Sequence, residues 1–174
     1  MTAQPRAAKP SDAEQLTQLH VEAGLRRPVS PQWLATHADD LARRLRAADP
    51  SVIAVVVDAP DERELASAAV GFVHRGLSRP GSPHGLSAHL SSLATHVRHR
   101  RSGYATAAAT AFVMEATRRG CAQINLYAVP GAVSLYTRLG FTATPLKAMT
   151  LQLPESAPPG SATASEPWPA SRYG

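Results

Sequence analysis

Along the first third of the chain, apolar side chains recur at helical spacing. Leu16, Leu19, His20 and Ala23 fall on one face of a helix. Ser11-Asp12-Ala13-Glu14 ahead of them has the form of a capping box, and Gly24 fits the helix end. Ser30-Pro31 marks a second start, because a proline in the first turn gives up an amide that is unpaired there anyway. Leu34, Ala38, Leu41 and Leu45 form its buried stripe, Arg43, Arg44 and Arg46 turn mostly to solvent, and Pro50 stops it. The pattern then changes. SVIAVVVDA, residues 51–59, is a β-branched run and predicts a strand. Further strands are expected over 67–75, 86–97, 123–129 and 147–153, with a short edge strand over 6–10. Residues 77–85, rich in glycine and proline, read as a loop. A helix is expected from Gly103 to about Arg119, ended by Gly120, and a short one from Pro130 to Leu139-Gly140.

This order predicts an α/β (α+β) fold: a mixed, mostly antiparallel sheet of about six to seven strands, flanked by helices. Residues 86–129 form its central β-α-β unit, whose two strands are parallel and joined by a right-handed crossover. Residues 1–153 are expected to make one domain. Residues 154–174, dominated by Pro, Ser and Ala, are expected to be a disordered tail.

A length of 174 residues, 44% of them hydrophobic and 18% charged, suits one globular domain with a core of its own. No run approaches eighteen apolar residues, so no membrane partner is expected. MTAQPRAAKPSD lacks the apolar centre of a secretion signal, and the lone Cys121 cannot make an internal disulfide. Together these point to the cytoplasm. Heavy use of Ala, Arg and Pro suggests a high-GC bacterial genome. A net charge of +5 suits an anionic ligand of any size.

The chemistry concentrates in RHRRSGYAT, residues 98–106. It lies between an expected strand and an expected helix, where the unpaired amides of a first turn and the helix dipole favour an anion. Gly103 lets backbone approach a ligand, Ala105 keeps the surface low, Ser102 adds a hydroxyl and Arg100 and Arg101 add charge. Such a turn can hold a pyrophosphate. It is neither a Walker loop nor GxGxxG. Arg100, Gly103 and Ala105 form the pattern Arg/Gln-x-x-Gly-x-Gly/Ala, which resembles the acetyl-CoA pyrophosphate loop of the GNAT acetyltransferase superfamily. Ala132-Val133-Ser134-Leu135-Tyr136-Thr137-Arg138-Leu139-Gly140-Phe141 resembles that family's A-x-x-L-Y-x-x-x-G-F segment, at the family's spacing. RAAKPSDAEQL resembles its first strand and helix. The resemblance covers roughly residues 5–153.

It implies acetyl-CoA as co-substrate, with no metal, and transfer by direct attack of an amine in a ternary complex. Cofactor contacts are then expected at Leu93, Ala94 and Thr95 and along Arg100, Arg101, Ser102, Gly103, Tyr104, Ala105 and Thr106. The oxyanion donor is a backbone amide near Leu93 or Ala94 on a splayed strand. Tyr136 is the acid for the leaving thiolate, a phenol of pKa about 10 being protonated at neutral pH. The family often carries a glutamate base where this chain has His89, and an asparagine where it has Val129. His74, His84 or water are the alternatives to His89 as base. By family analogy the acceptor site lies among residues 24–34, the 77–85 loop and the chain after Phe141, with Arg26, Arg27 and Trp33 as candidate substrate contacts.

Each of these residues also has a plainer reading: a solvated basic turn, a core tyrosine, a satisfied strand histidine. Cys121 reads as a small buried hydrophobe. His96 and His99 are close, but no second pair completes a zinc site. The expected function is an N-acetyltransferase acting on a primary amine of a small molecule. The alternatives are a protein lysine or N-terminal acetyltransferase, or a catalytically silent acyl-CoA-binding domain. Partners are a small-molecule amine or a peptide, with the protein a monomer or homodimer. Nucleic acid is not expected, since no aromatics interleave the basic cluster to stack on bases.

Overall fold

A computed structural model describes residues 4–24, 28–60 and 64–151. They belong to two compact units, Met1–Thr142 and Ala143–Gly174. The expected tail over 154–174 and the end of the expected strand 147–153 lie outside the described residues. In the second unit, residues 143–151 contain neither helix nor strand.

The first unit is built on one sheet. Its strands are β1 (Pro5–Ala7), β2 (Val52–Asp58), β3 (Leu65–Arg75), β4 (Leu86–Thr95) and β5 (Ile124–Asn125), lying side by side in that order. Each of the first four runs antiparallel to its neighbour among them, and β5 runs parallel to β4. Among the described residues four α-helices flank the sheet: α1 (Ala13–Gly24), α2 (Pro31–Arg46), α3 (Tyr104–Arg118) and α4 (Val133–Arg138). The fold is the expected mixed α+β one, with β4–α3–β5 as its parallel crossover. Among the described residues the strands number five rather than six to seven.

The apolar run of β2 has a physical reason: both of its faces are covered. Ile53, Val55 and Val57 pack with Ala69, Ala88 and Leu90 under Ala108, Phe112 and Ala116 of α3. Val56 points the other way, with Ala68 and Ala94, toward Ala13, Leu16 and Leu19 of α1 and Leu41 of α2. β3, the middle strand, buries mostly small side chains, which lets helices approach on both sides. At Gly71 a Cβ would run into the His89 carbonyl oxygen and lie 2.7 Å from the Phe112 ring, so only glycine fits.

Ser30 caps α2 as expected, its hydroxyl accepting from the Trp33 amide (3.1 Å). The start of α1 differs. The chain enters through a 3-10 turn over Pro10–Asp12, and Asp12, rather than Ser11 and Glu14, reaches back to accept from the Lys9 amide (2.7 Å). Pro10 opens the helical geometry earlier than the Ser11 signal does. Arg6 fixes the choice, bridging Asp12 and Asp58 at 2.7 Å each and so tying β1 to both neighbours. The expected strand over 123–129 is reduced to β5, because its pairing with β4 ends at His89↔Asn125. Likewise the described part of 147–153 carries no strand, and alternation within one segment cannot supply the partner that a ladder needs.

Candidate active site

The site starts from an irregularity in β4. Val70 of β3 opposes Ser92, yet Gly71 opposes Leu90, so Ser91 is an extra residue, a β-bulge. Because side chains alternate, one extra residue exchanges the faces. Ala88 and Leu90 join the α3 side before the bulge, whereas after it Leu93 joins the α3 side and Ala94 the α1 side.

The same shift re-aims the backbone. The Ala88 amide donates toward β5, to the Gln123 carbonyl (2.9 Å), while the His96 amide donates toward β3, to the Ala66 carbonyl (3.0 Å). Counting back from His96, Ala94 and Ser92 also face β3, and the amides of Leu93 and Thr95 face the opposite edge. β5 pairs only with Ala88 and His89, so that edge of β4 is open beyond His89. The Thr95 carbonyl on it accepts from the Arg100 guanidinium (3.3 Å). Of the two expected oxyanion donors, Leu93 is therefore the one whose amide faces the opening.

The basic run follows. Val97–His99 makes a 3-10 turn, then Arg101 (φ 62°) and Gly103 (φ 84°) take left-handed backbone, and α3 begins at Tyr104. The first amide bonded within α3 is that of Ala107, to the Gly103 carbonyl (3.0 Å). Gly103 has no side chain to cap the helix, and the Ser102 hydroxyl turns back to the Arg100 carbonyl (3.4 Å). The amides of Tyr104, Ala105 and Thr106 are thus left for a ligand.

The cations of this run divide. Arg98 grips both oxygens of Glu64 (3.0 and 2.8 Å), and His99 Nε2 lies 2.9 Å from the same carboxylate. Arg100 and Arg101 are exposed and form no ion pair among the described residues. A Cβ at Gly103 would meet nothing within 4 Å, so the space above the turn is open. Uncapped amides, two unpaired arginines and open space fit the pyrophosphate of a coenzyme A thioester.

His89, on β4 between Phe72 and Asn125, is half-buried, with its ring 5.4 Å from Tyr127. Burial, and then the charge of His74, lower its pKa, so it is a neutral imidazole at neutral pH. Tyr136 is buried in the α3-side core, edge-on to Phe141 at 5.7 Å, and burial raises its pKa. Its hydroxyl has no hydrogen-bond partner among the described residues. No fully buried polar side-chain atom there lacks one, so the oxygen reaches solvent. Val129 is exposed ahead of the Pro130 turn. Cys121 is half-buried against the same core, and burial pushes its thiol up.

On the opposite face, α1, α2 and the central strands enclose a cavity of about 140 Å³. Its walls are mainly apolar (Leu16, Leu41, Val70, Phe72), with Ser91 and Ser92 of the bulge at one side and His20, His37, Asp40 and Arg44 at the other. Trp33 stacks on His37 (4.8 Å), and His37 on His20 (5.6 Å), a ladder leading from the surface to this cavity. His37 Nδ1 lies 3.0 Å from the Thr17 hydroxyl. Burial lowers the pKa of both histidines, with mutual repulsion added at His20 and partly opposed by Asp40 at His37. Sequence reasoning found Trp33 but not this histidine pair, whose signal is only the helical spacing of Trp33 and His37 (i, i+4). Arg26 and Arg27 lie outside the described residues.

Residues 15–141 match the model of the acetyltransferase (GNAT) family. No curated protein matches the chain at a significant level. Solved structures share its fold. A predicted acetyltransferase from Clostridium acetobutylicum, determined with acetyl-CoA, aligns with a TM-score of 0.71 at 17% identity, covering 87% of this chain and 96% of that one. Glucosamine-6-phosphate N-acetyltransferase from Arabidopsis thaliana aligns at 0.70 and 13% identity, over 87% and 99%. An acetyltransferase of Trypanosoma brucei aligns at 0.66 and 21% identity, over 87% and 100%.

Proposed function

Because the chain belongs to the acetyltransferase (GNAT) family, which implies acyl-CoA-dependent acetyl transfer, we propose that it is an N-acetyltransferase acting on a primary amine of a small molecule. The observation that carries this reading is one juxtaposition. The open edge of β4, with the Leu93 amide facing it, runs directly into an uncapped helix start flanked by Arg100 and Arg101.

Arg100, Arg101 and the amides of Tyr104, Ala105 and Thr106 hold the pyrophosphate, Gly103 lets it come close, and Ser102 borders it. Ala94 and Thr95 flank the thioester arm. Acetyl-CoA supplies an activated acyl group. The Leu93 amide donates to its carbonyl oxygen, a fixed dipole that needs no reorganisation. An alkylammonium of pKa about 10.4 must lose a proton before it can attack, and His89, a neutral imidazole, accepts it directly or through water. Tyr136 returns a proton to the departing thiolate; its raised pKa keeps it protonated until then. The acceptor lies in the cavity beside Ser91 and Ser92, with Trp33 at its approach. That volume suits a small apolar amine better than a folded protein surface.

The test is a thermal-shift titration of the full chain with acetyl-CoA, CoA and ATP. Ligand at about one hundred times its dissociation constant adds about 2.7 kcal/mol, roughly a 5–10 °C rise at this size. Both CoA species are expected to produce it and ATP is not; no rise with acetyl-CoA overturns the cofactor reading. Thiol release over a panel of primary amines then tests the chemistry. Tyr136→Phe is expected to lower kcat at least about 100-fold with little change in the acetyl-CoA shift. Unchanged turnover removes Tyr136 from the reaction.

A further inference from the structure

Glu64, His96 and His99 come together although the sequence holds Glu64 and His99 35 residues apart. The cause is register. Ser67 opposes Thr95, so the residue before β3 and the residues after β4 are neighbours. The His96 amide lengthens that ladder by one bond to Ala66. Val97–His99 then makes a single 3-10 turn, closed by the His99 amide donating to the His96 carbonyl (2.9 Å). With three residues per turn, the two histidines stand on one side, facing Glu64.

The ligand-capable atoms of all three residues lie within 4.8 Å of one another. Ligands about 2.1 Å from a tetrahedral zinc ion are about 3.4 Å apart, so side-chain rotations of about an ångström close the set. Two imidazoles and a carboxylate are a donor set for late divalent transition metals, and three protein ligands leave a fourth position for water. The anchor is firm where it needs to be. The His99 side chain is 19% exposed, stands edge-on to Tyr104 at 5.8 Å and meets Glu64 at 2.9 Å. The Arg98 guanidinium now neutralises Glu64, but that side chain is 69% exposed and can move into water, one cation replacing another.

We propose that Glu64, His96 and His99 form a three-ligand site for a late divalent transition-metal ion such as Zn²⁺. The ion would join the start of β3 to the turn that leads into residues 100–105, fixing the approach to the basic loop without touching what the loop holds. This inference does not depend on acetyl transfer, and its test reads metal binding alone.

The full chain, stripped with chelator, is titrated with Zn²⁺ by calorimetry and with Co²⁺ by visible absorption. One equivalent per chain is expected, with Co²⁺ bands of low-symmetry coordination. His99→Ala and His96→Ala are each expected to weaken binding at least about tenfold, and Cys121→Ser and His84→Ala to leave it unchanged. Glu64→Gln, which keeps a hydrogen-bonding partner for His99, tests the third ligand should an alanine variant fail to fold by circular dichroism. It too is expected to bind more weakly. Absence of binding to the wild type, or binding that survives loss of both histidines, overturns the proposal.

Discussion

Gly103 sets the angle at which α3 meets the basic run. Its φ of 84° disfavours any side chain, yet an added Cβ would touch nothing within 4 Å. Gly103→Ala is therefore a backbone change with no packing component. It is expected to cost about 1 kcal/mol, a fall of roughly 2–4 °C in Tm without ligand. Acetyl-CoA affinity is expected to fall more than stability does, because the turn aims the amides of Tyr104–Thr106; calorimetry beside the melts separates the two. An equal fall in both would leave Gly103 a purely structural residue. This glycine was legible in the sequence because it stands between a strand and a helix pattern. The division of labour among its neighbours was not. Arg98, Arg100 and Arg101 look alike in a run, and what separates them is Glu64, far away in the chain and brought near by strand pairing. The same distance hid the third possible metal ligand beside His96 and His99.

Helices and strands differ in how far their own residues define them. The start of α2 could be read from Ser30 and Pro31, since a cap is a local hydrogen bond. The start of α1 could not, because Arg6 on β1 and Asp58 on β2 decide which side chain turns back. β5 shrank to two residues for a related reason: its register with β4 ends at His89↔Asn125, just before the bulge at Ser91. β3 carries the strictest demand. Gly71 sits where the Phe112 ring and the His89 carbonyl leave no room for a methyl group. Gly71→Ala is expected to destabilise by about 1–3 kcal/mol through overpacking, seen as a lower denaturant midpoint with unchanged slope. A neutral result would mean that both the His89 carbonyl on β4 and the Phe112 ring on α3 can retreat at no expense.

Within the unit Met1–Thr142 the sheet separates two cores of different character. The α3 side is sealed by Phe112, and the α1 side carries a cavity and two stacked histidines. That asymmetry gives a pH dependence. Burial first, and then mutual repulsion at His20, hold the folded pKa values of His20 and His37 below the ordinary value of about 6.5. The unfolded chain then binds more protons as pH falls. Their contribution is complete above about pH 6.5 and is lost as pH drops through the lowered folded values. Tm is expected to fall as pH drops below about 6.5, and to fall less in His20→Gln/His37→Gln; equal falls would place the effect elsewhere. Glu115 does not confuse this window, because its hydrogen bond to Arg118 and its partner Arg119 hold it at about 2. Ser91 is the one residue of β4 to which β3 offers no opposite number. Deleting it would make Leu90 and Ser92 consecutive opposite Gly71 and Val70, and Leu93 would keep to the α3 side and Ala94 to the α1 side. What would go is the local twist that a bulge adds to its strand, set between His89, the last residue paired with β5, and Leu93, whose amide faces the open edge. The shape of the opening thus hangs on a count, one residue more than the partner strand requires.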